Sequence, residues 1–353
     1  MTLSDDLEAA QPANRQDIAR IRRERDHAEN ENLRLQTRLD ELEKALELVE
    51  TATTSTLTPP KWLAAPPSKR SKRATLLLLL SDTHFDEVVQ PDEVAGLNAY
   101  NRRIAEIRLR TWTENSIKVA RHYLAGVTYD GVVVMLGGDI FSGDIHDELS
   151  RTNEGPTIAS VEHWADPLAS ALSTLADRFG KVHVPCAVGN HGRNRKKWHA
   201  KNTVLDSFDW LLYRMVYRAL RDDSRITWQI PESVDCYFKV YDHLHLLTHG
   251  NQARGGAGIA GLATPLTLFD HRKRKRDATM GVTASHTWIG HFHTYLPGPG
   301  VTVNGSGKGT DEYAFQGNLG HEVPAQAFAV ITPEHNVTTQ LAIYGGDRKS
   351  EGW

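Results

Sequence analysis

The chain has 353 residues, of which 40% are hydrophobic and 24% are charged, and its formal net charge is −3. This length allows one large domain and an extension, and the charge balance excludes a uniformly basic protein, so any positive field must be local. No apolar run approaches the roughly 20 residues that span a bilayer, and both cysteines, Cys186 and Cys236, lie in apolar strand contexts. We therefore expect no membrane segment, reduced thiols and a cytoplasmic location.

The first element in chain order, residues 1–50, carries a heptad pattern that is typical of a coiled coil. Seam positions recur at alternating spacings of three and four residues, which is the repeat of a helix seam. Asn32 within the seam favours a parallel two-stranded form. We expect a homodimer through residues 18–49; the alternative is a single helix folded back on the rest of the chain. The seam consists of Ile18, Ile21, Arg25, Ala28, Asn32, Leu35, Leu39, Leu42, Leu46 and Val49.

Residues 51–73 interrupt the heptad pattern. They contain Thr-Ala-Thr-Thr-Ser-Thr, two Pro-Pro pairs and the basic end Lys-Arg-Ser-Lys-Arg, a composition that is typical of a semi-extended linker. The basic end could contact a polyanion, but a solvated tether is the favoured interpretation. Residues 74–346 are predicted to form one large domain, and residues 347–353 a short tail.

Five apolar segments of this domain each end on residues that can bind a metal. Short apolar runs are typical of strands buried on both faces, and ligands bind beyond the carboxyl ends of strands in open α/β sheets. The segments are residues 75–84, 131–139, 181–192, 243–250 and 288–293. Their terminal residues are Asp82, His84, Asp139, Asn190, His191, His249, His291 and His293.

His291 and His293 lie one residue apart at the end of the last segment. Side chains alternate between the two faces of a strand, so on an extended strand both imidazoles would face the same side. Two imidazoles aimed at one spot indicate a metal or a bound charged group.

Helices are predicted between the strands, over residues 98–124, 167–179 and 203–220. Strands that alternate with helices indicate a layered α/β domain. Three residues of the last predicted helix are interpreted as packing and surface positions: Asp209, Trp210 and Arg214.

The terminal residues of the five segments resemble the five signature blocks of the calcineurin-like metallophosphoesterases. The resemblance extends from about residue 76 to about residue 344, and it implies a four-layer α/β/β/α sandwich with a dinuclear metal site. It implies that Asp82, His84 and His293 hold one metal, that Asn190, His249 and His291 hold the other, and that Asp139 bridges both. The blocks are Asp82-x-His84, Gly138-Asp139, Gly189-Asn190-His191, His249-Gly250 and Gly290-His291-x-His293.

The chemistry that the resemblance implies is hydrolysis of a phosphate ester by a hydroxide bridging two divalent metals. Mixed carboxylate, imidazole and amide ligands suit Mn²⁺, Fe or Zn²⁺; we expect Mn²⁺, and two such ions can clamp a phosphoryl group. His191 is implied as the catalytic acid or charge stabiliser near the leaving group. Residues 74–346 would then be the catalytic domain.

One position departs from the family pattern. Many members carry Asp or Glu directly after the Asn-His pair, whereas this chain has Gly192. Asp144 or another residue could supply the missing carboxylate. Arg193 and Arg195 could grip a phosphate oxygen, since a guanidinium matches that geometry; the alternative for Arg193 is a solvated residue at a helix start.

Two basic clusters bear on the substrate. One cluster is residues 193–201, with Trp198 among its arginines and lysines, and the other is residues 271–276. Basic surface near the metal rim indicates a polyanion, and Trp198 could stack on a base. The alternative is that both clusters are solvated.

We therefore expect a nuclease, that is, a phosphodiesterase acting on nucleic acid. Two segments, His249-Gly250-Asn251 and Asn304-Gly305-Ser306, resemble the DNA repair exonuclease and phage-type branch of the family. The alternatives are a phosphomonoesterase or small-nucleotide phosphodiesterase, and a binding scaffold that has lost catalysis.

Seam substitutions test the predicted coiled coil. We expect the chain to have the molar mass of a dimer in multi-angle light scattering, and Leu35→Asp to reduce it to that of a monomer, because a charge in the seam opposes pairing. Arg34→Asp, outside the seam, is the control and should leave a dimer. A monomer mass for the unmodified chain at micromolar concentration would contradict the prediction.

Overall fold

The computed structural model describes residues 18, 20–37, 59–63, 73–253 and 261–353, and it divides into two units, Met1–Ser55 and Thr56–Trp353. Residues 20–37 of the first unit are helical, and the seam residues Ile21 and Leu35 are exposed. Residues 38–49 of the predicted seam lie outside the described part of the chain, so pairing through the seam stays a prediction.

The strands of the second unit form two sheets. In chain order the strands are β1 Arg73–Leu80, β2 Thr128–Leu136, β3 Val182–Pro185, β4 Ile226–Gln229, β5 Asp235–Val240, β6 His243–Thr248, β7 His286–Ile289, β8 Leu296–Pro297, β9 Val301–Val303, β10 Ala325–Thr332 and β11 Asn336–Tyr344. One sheet has the order β11-β10-β1-β2-β3-β4 and the other the order β5-β6-β7-β9-β8. Strands β1 to β4 are parallel, and so are β6, β7 and β9.

The leucine run of β1 explains the layering. Leu76 and Leu78 pack into the core on one face of the six-stranded sheet, while Leu77 and Leu79 pack into the core on the other face. Because β1 is buried on both sides, its sequence is continuously apolar rather than alternating.

The second core lies between the two sheets. Leu77 and Leu79 meet Phe238 and Leu247 of the five-stranded sheet there, together with Leu63. Leu63 is 0% exposed, and its carbonyl accepts a 2.8 Å hydrogen bond from the amide of Tyr241. This part of the predicted linker is therefore packed on the domain, and the interpretation of residues 51–73 as a solvated tether is wrong at residue 63.

The α-helices that the structure describes in the second unit are numbered in chain order. They are α1 Arg102–Lys118, α2 Asp147–Thr152, α3 Thr157–Phe179, α4 Phe208–Leu220, α5 Ala263–Thr279, α6 Glu312–Gln316 and α7 Arg348–Glu351. Helices α1, α3 and α4 pack on the six-stranded sheet, and α5 packs on the five-stranded sheet through Leu266 and Phe269. The predicted four-layer α/β/β/α sandwich is confirmed. Among the described residues, no helix combines the length and the apolar character that crossing a bilayer requires.

Helices α1 and α3 begin at residues that differ from the predicted starts. Helix α1 begins at Arg102 because the Asn101 side chain accepts a hydrogen bond from the amide of Ile104, which satisfies a free N–H of the first turn. Helix α3 begins at Thr157 and contains Pro167, where the sequence predicted a start. Its apolar stripe begins earlier, at Val161, and packing of that stripe outweighs the proline.

The last residues of the chain belong to the domain and are not a free tail. Glu351 of α7 is 1% exposed, and both of its carboxylate oxygens accept hydrogen bonds from the buried guanidinium of Arg108, at 2.8 and 3.0 Å. A bidentate pair of this kind fixes α7 to α1. The interpretation of residues 347–353 as a tail is therefore wrong.

Replacing Arg108 tests this contact. We expect Arg108→Met to lower the free energy of unfolding by about 3–5 kcal/mol, because it leaves the carboxylate of Glu351 buried without its partner. The matched control is Arg110→Met, an exposed residue of the same helix, which should change stability by less than about 0.5 kcal/mol. Urea denaturation measures both, and equal losses would contradict the assignment.

Candidate metal centre

All predicted ligands lie in loops beyond the carboxyl ends of parallel strands. Both sheets contribute, because their carboxyl ends meet at the same edge of the sandwich. The ligands are Asp82 and His84 after β1, Asp139 after β2, Asn190 after β3, His249 after β6, and His291 and His293 after β7.

The structure collects six of these seven side chains, all except Asn190, into two adjoining groups. In each group the candidate ligand atoms lie within 4.8 Å of one another: Asp82, His84 and His293 form one group, and Asp139, His249 and His291 form the other. Within the first group the Nε2 atoms of His84 and His293 are 3.1 Å apart. Within the second, His249 Nε2 lies 2.9 Å from Asp139 Oδ2.

His291 and His293 do not lie on the extended strand that the sequence predicted. Strand β7 ends at Ile289, and the two histidines have φ values of +71° and +56°. They lie in a loop with left-handed backbone, so strand alternation does not set their directions. The result is that each imidazole belongs to a different group.

Left-handed backbone recurs at three further candidate ligands. Asp82, His84 and Asp139 have φ values of +53°, +45° and +48°, a region that costs a non-glycine residue about 1–2 kcal/mol. Hydrogen bonds hold these conformations: Asp82 Oδ1 accepts from the amide of His291 at 2.8 Å, and Asp139 Oδ1 accepts from the amide of His191 at 2.6 Å. Concentrated backbone strain of this kind is typical of functional sites.

Buried charges dominate the electrostatics of the site. Burial raises the pKa of Asp82 to about 7. Burial also opposes ionisation of Asp139, but His249 and His191 outweigh it and hold the pKa of Asp139 well below its ordinary value. Asp139 in turn raises the pKa of His249 to about 10 against the effect of burial. A divalent cation between these groups would favour two ionised carboxylates and neutral imidazoles, because opposite charge favours the charged form of an acid.

The donor set fits a pair of divalent cations. The Oδ1 atom of Asn190 is buried and has no hydrogen-bond partner among the residues that the structure describes, so this amide oxygen is able to bind a cation. His249 Nδ1 donates to the carbonyl of Gly137 at 2.9 Å, and such a bond directs the opposite nitrogen of a histidine toward a metal. Carboxylate, imidazole and amide donors suit Mn²⁺, Fe or Zn²⁺.

A second layer of buried side chains supports His84. Its Nδ1 atom faces the carboxylate of Glu87 at 3.4 Å, and Glu87 pairs at 2.6 Å with Lys308, which also pairs at 2.5 Å with Asp311. His84, Glu87 and Lys308 are all less than 5% exposed. At this distance the two groups adjoin without a hydrogen bond, and the opposite ring nitrogen of His84, Nε2, faces His293.

His191 lies at the edge of the two groups. Its ring centroid is 4.5 Å from that of His84, and its side-chain nitrogen lies within 4.8 Å of ligand atoms of His84 and Asp139. His191 Nδ1 donates to the carbonyl of Ser142 at 2.8 Å, which leaves Nε2 to face the site. A backbone carbonyl therefore orients this ring. Asp144 does not, because its carboxylate accepts from the hydroxyl of Thr157.

The two predicted arginines differ in placement. Arg193 is half-buried, its Nε meets no hydrogen-bond partner within the described parts of the chain, and burial lowers its pKa against the attraction of Asp139. Arg195 is exposed and lies 3.3 Å from the carboxylate of Asp206. Arg193 thus belongs with the site, whereas Arg195 pairs with a neighbouring loop residue.

His146 and Asp209 adjoin the site and were not predicted from the sequence to do so. The ring of His146 is 5.5 Å from that of His191, and His146 carries no motif that singles it out. Asp209 was interpreted as a packing residue, but its buried carboxylate accepts hydrogen bonds from the amides of Asp139, Ile140 and Gly189. Its only sequence signal is its position at the start of α4.

No sequence model of a known family matches the chain, and no curated protein is significantly similar to it. Solved structures to which it is similar include a conserved uncharacterized protein from Streptococcus pneumoniae TIGR4, described as a predicted phosphoesterase, with 11% identity, a TM-score of 0.25, and coverage of 77% of this chain and 98% of that one. A putative 5′-nucleotidase from Staphylococcus aureus shows 9% identity, a TM-score of 0.32, and coverage of 78% and 55%. The sulfate thiohydrolase SoxB from Thermus thermophilus shows 10% identity, a TM-score of 0.29, and coverage of 79% and 57%. The chain thus spans little more than half the length of the last two. Likeness at this level does not bear on activity, so function is inferred from the side chains of the site.

Metal analysis of two variants tests the division into groups. We expect about two Mn²⁺ ions per chain in the unmodified protein, and about one in either His291→Gln or His293→Gln, because each substitution removes a ligand from one group only. Exposed His335→Gln is the control and should retain both ions. Equilibrium dialysis with elemental analysis measures the content, and loss of both ions in both variants would contradict two separable positions.

Proposed function

We propose that this chain is a metal-dependent phosphoesterase. The observation that carries the proposal is the pair of adjoining ligand groups, in which Asp139 of one group lies within 4.8 Å of His84 of the other, with His191 beside them and directed by its bond to Ser142. Carboxylates and imidazoles that adjoin in this way are the kind of donors that a pair of divalent cations requires. Such a pair, when bound, polarises phosphoryl oxygens and lowers the pKa of water between the ions.

The protein's own residues have separate parts in this proposal. Asp139, which lies close to ligand atoms of both His249 and His84, would contribute its carboxylate to both metal positions. His191 presents Nε2 to the space beside His84, where the imidazolium form of the ring can donate a proton or hydrogen bond to the oxygen of the leaving alcohol. The guanidinium of Arg193, whose Nε has no partner among the described residues, can bind a non-bridging phosphate oxygen.

The finer proposal is a phosphodiesterase that acts on nucleic acid. The segment of residues 193–201 that follows His191 supports it, since Trp198 is 55% exposed and Lys197 and Lys201 are exposed as well. Exposed aromatic and basic side chains along one segment can bind single-stranded nucleic acid, because bases stack on aromatic rings and basic side chains attract phosphates. Lys196 is not available in the same way, because it pairs with Asp147.

A phosphomonoester or small nucleotide is the second candidate substrate. The observation that favours it is the ion pairing of the second basic cluster, on α5. Lys273 is buried against Asp235 at 2.5 Å, Arg274 pairs with Asp270 at 2.6 Å, and Arg276 pairs with Asp235 at 2.7 Å. The positive field that the sequence of residues 271–276 indicates is therefore largely neutralised by neighbouring carboxylates.

A substrate panel with added Mn²⁺ tests both levels of the proposal. We expect turnover of bis-p-nitrophenyl phosphate and of single-stranded DNA, and a reduction in kcat of about 10²- to 10⁴-fold in His191→Ala, because the leaving oxygen loses its proton donor. The control is His122→Ala, an exposed histidine outside the site, which should keep full activity. Hydrolysis of p-nitrophenyl phosphate alone would favour the second candidate, and absence of Mn²⁺-dependent turnover on every ester would refute the phosphoesterase.

A further inference from the structure

The side chain of Asp209 occupies the space beside Gly192. A Cβ atom placed on Gly192 would lie 2.8 Å from Asp209 Cγ and about as close to both of its carboxylate oxygens, at 2.9 and 3.0 Å. Asp209 is 0% exposed. Gly192 directly follows His191. The volume that a side chain at position 192 would occupy is thus already filled by a carboxylate from another element.

The carboxylate of Asp209 joins the two loops that carry Asp139 and Asn190. Its Oδ2 atom accepts hydrogen bonds from the amides of Asp139 and Gly189, at 3.1 and 2.9 Å. Its Oδ1 atom accepts from the amide of Ile140 at 3.2 Å. Buried amides need such partners, because a buried N–H without an acceptor costs about 1–3 kcal/mol.

The loops that carry Asp139 and Asn190 contact each other closely at two glycines. A Cβ atom on Gly138 would overlap the amide nitrogen of Gly189, and one on Gly189 would overlap the carboxylate of Asp139. No side chain fits between the loops at these points. The three amides that face Asp209 therefore hold the left-handed backbone of Asp139 and the residue before Asn190 in one arrangement.

Helix α4 positions Asp209 beside Gly192. Asp209 is in the first turn of the helix, which Ser207 caps by accepting from the Asp209 amide. The amide of Phe208 donates a hydrogen bond to the carbonyl of Gly192 at 2.7 Å. The backbones of Arg193 and Ser207 pair in an isolated antiparallel β-bridge. The helix start and the loop after His191 are thus bonded together, and Asp209 cannot shift without the loop.

We propose that Asp209 is a positioning residue of the metal centre, which supplies from α4 the carboxylate that is missing at position 192. It acts through the backbone of the Asp139 and Asn190 loops and does not touch the substrate. The proposal rests on the metal site of the proposed function, and metal binding tests it separately from hydrolysis.

Four variants of the full chain form the test: Asp209→Ala, Asp209→Asn, Gly192→Asp and the double variant Gly192→Asp with Asp209→Ala. The backbone at Gly192 is not left-handed, so aspartate is permitted there. Mn²⁺ affinity is measured by isothermal titration calorimetry, and the unfolding midpoint is measured with and without Mn²⁺. Asp222→Ala, an exposed aspartate just beyond α4, is the matched control and should bind Mn²⁺ as the unmodified chain does.

We expect Asp209→Ala to weaken Mn²⁺ binding by about 10- to 100-fold, the usual effect of removing a group that orients metal ligands. Asp209→Asn should weaken binding less, because its amide oxygen still accepts. Gly192→Asp alone should weaken it, because two carboxylates compete for one volume. The double variant should recover most of the affinity, because the carboxylate returns to that volume from the other side.

The double variant separates positioning from general stability. A change in stability alone would lower the metal-free unfolding midpoint and leave the Mn²⁺-induced rise in midpoint unchanged. Wild-type Mn²⁺ affinity in Asp209→Ala, or a double variant that binds no better than Asp209→Ala, would overturn the proposal. If Asp209→Ala does not fold, Asp209→Asn and the double variant decide by the same comparison. A wild-type chain that binds Mn²⁺ and hydrolyses no phosphate ester would refute the proposed function and leave this comparison intact.

Discussion

The rest of the site depends on the contacts that the buried carboxylate of Asp139 makes. It lies 2.9 Å from His249, which comes from the other sheet, and it accepts a hydrogen bond from the amide of His191. One side chain thus connects the second ligand group, the loop of the candidate catalytic histidine and the two sheets. A buried anion with this many donors around it stays ionised and fixed in direction, which is what a shared metal ligand requires.

The fold provides this arrangement because two parallel sets of strands end at one edge. Loops that follow β1, β2 and β3 meet loops that follow β6 and β7. Glycines at positions 138 and 189 allow the backbones of the β2 and β3 loops to touch. The approach is stabilised from outside the site by Asp209 beneath the β2 and β3 loops and by the Glu87 and Lys308 pair behind His84. Strained backbone at the ligands is retained because these contacts surround it.

Much of this was predictable from sequence, and the reasons for the exceptions are physical. Apolar runs that end on ligand-type residues predicted the strands and which loops lie close together, because the carboxyl ends of parallel strands converge. The local backbone of His291 and His293 was not predictable, since left-handed φ at a histidine is set by tertiary contacts such as the bond from the His291 amide to Asp82. The role of Asp209 was hidden for the same reason: its partners are backbone amides distant in sequence. The charge of the α5 cluster was overestimated because Asp235, which pairs with Lys273 and Arg276, lies on β5.

The central claim is that these loops hold two divalent cations on either side of Asp139. Anomalous diffraction from crystals grown with Mn²⁺, collected at the manganese edge, tests it most directly. We expect two peaks about 3.5–4 Å apart, one among Asp82, His84 and His293 and the other among Asn190, His249 and His291, with Asp139 between them. A single peak, or peaks that the Asp139 carboxylate does not contact, would contradict it.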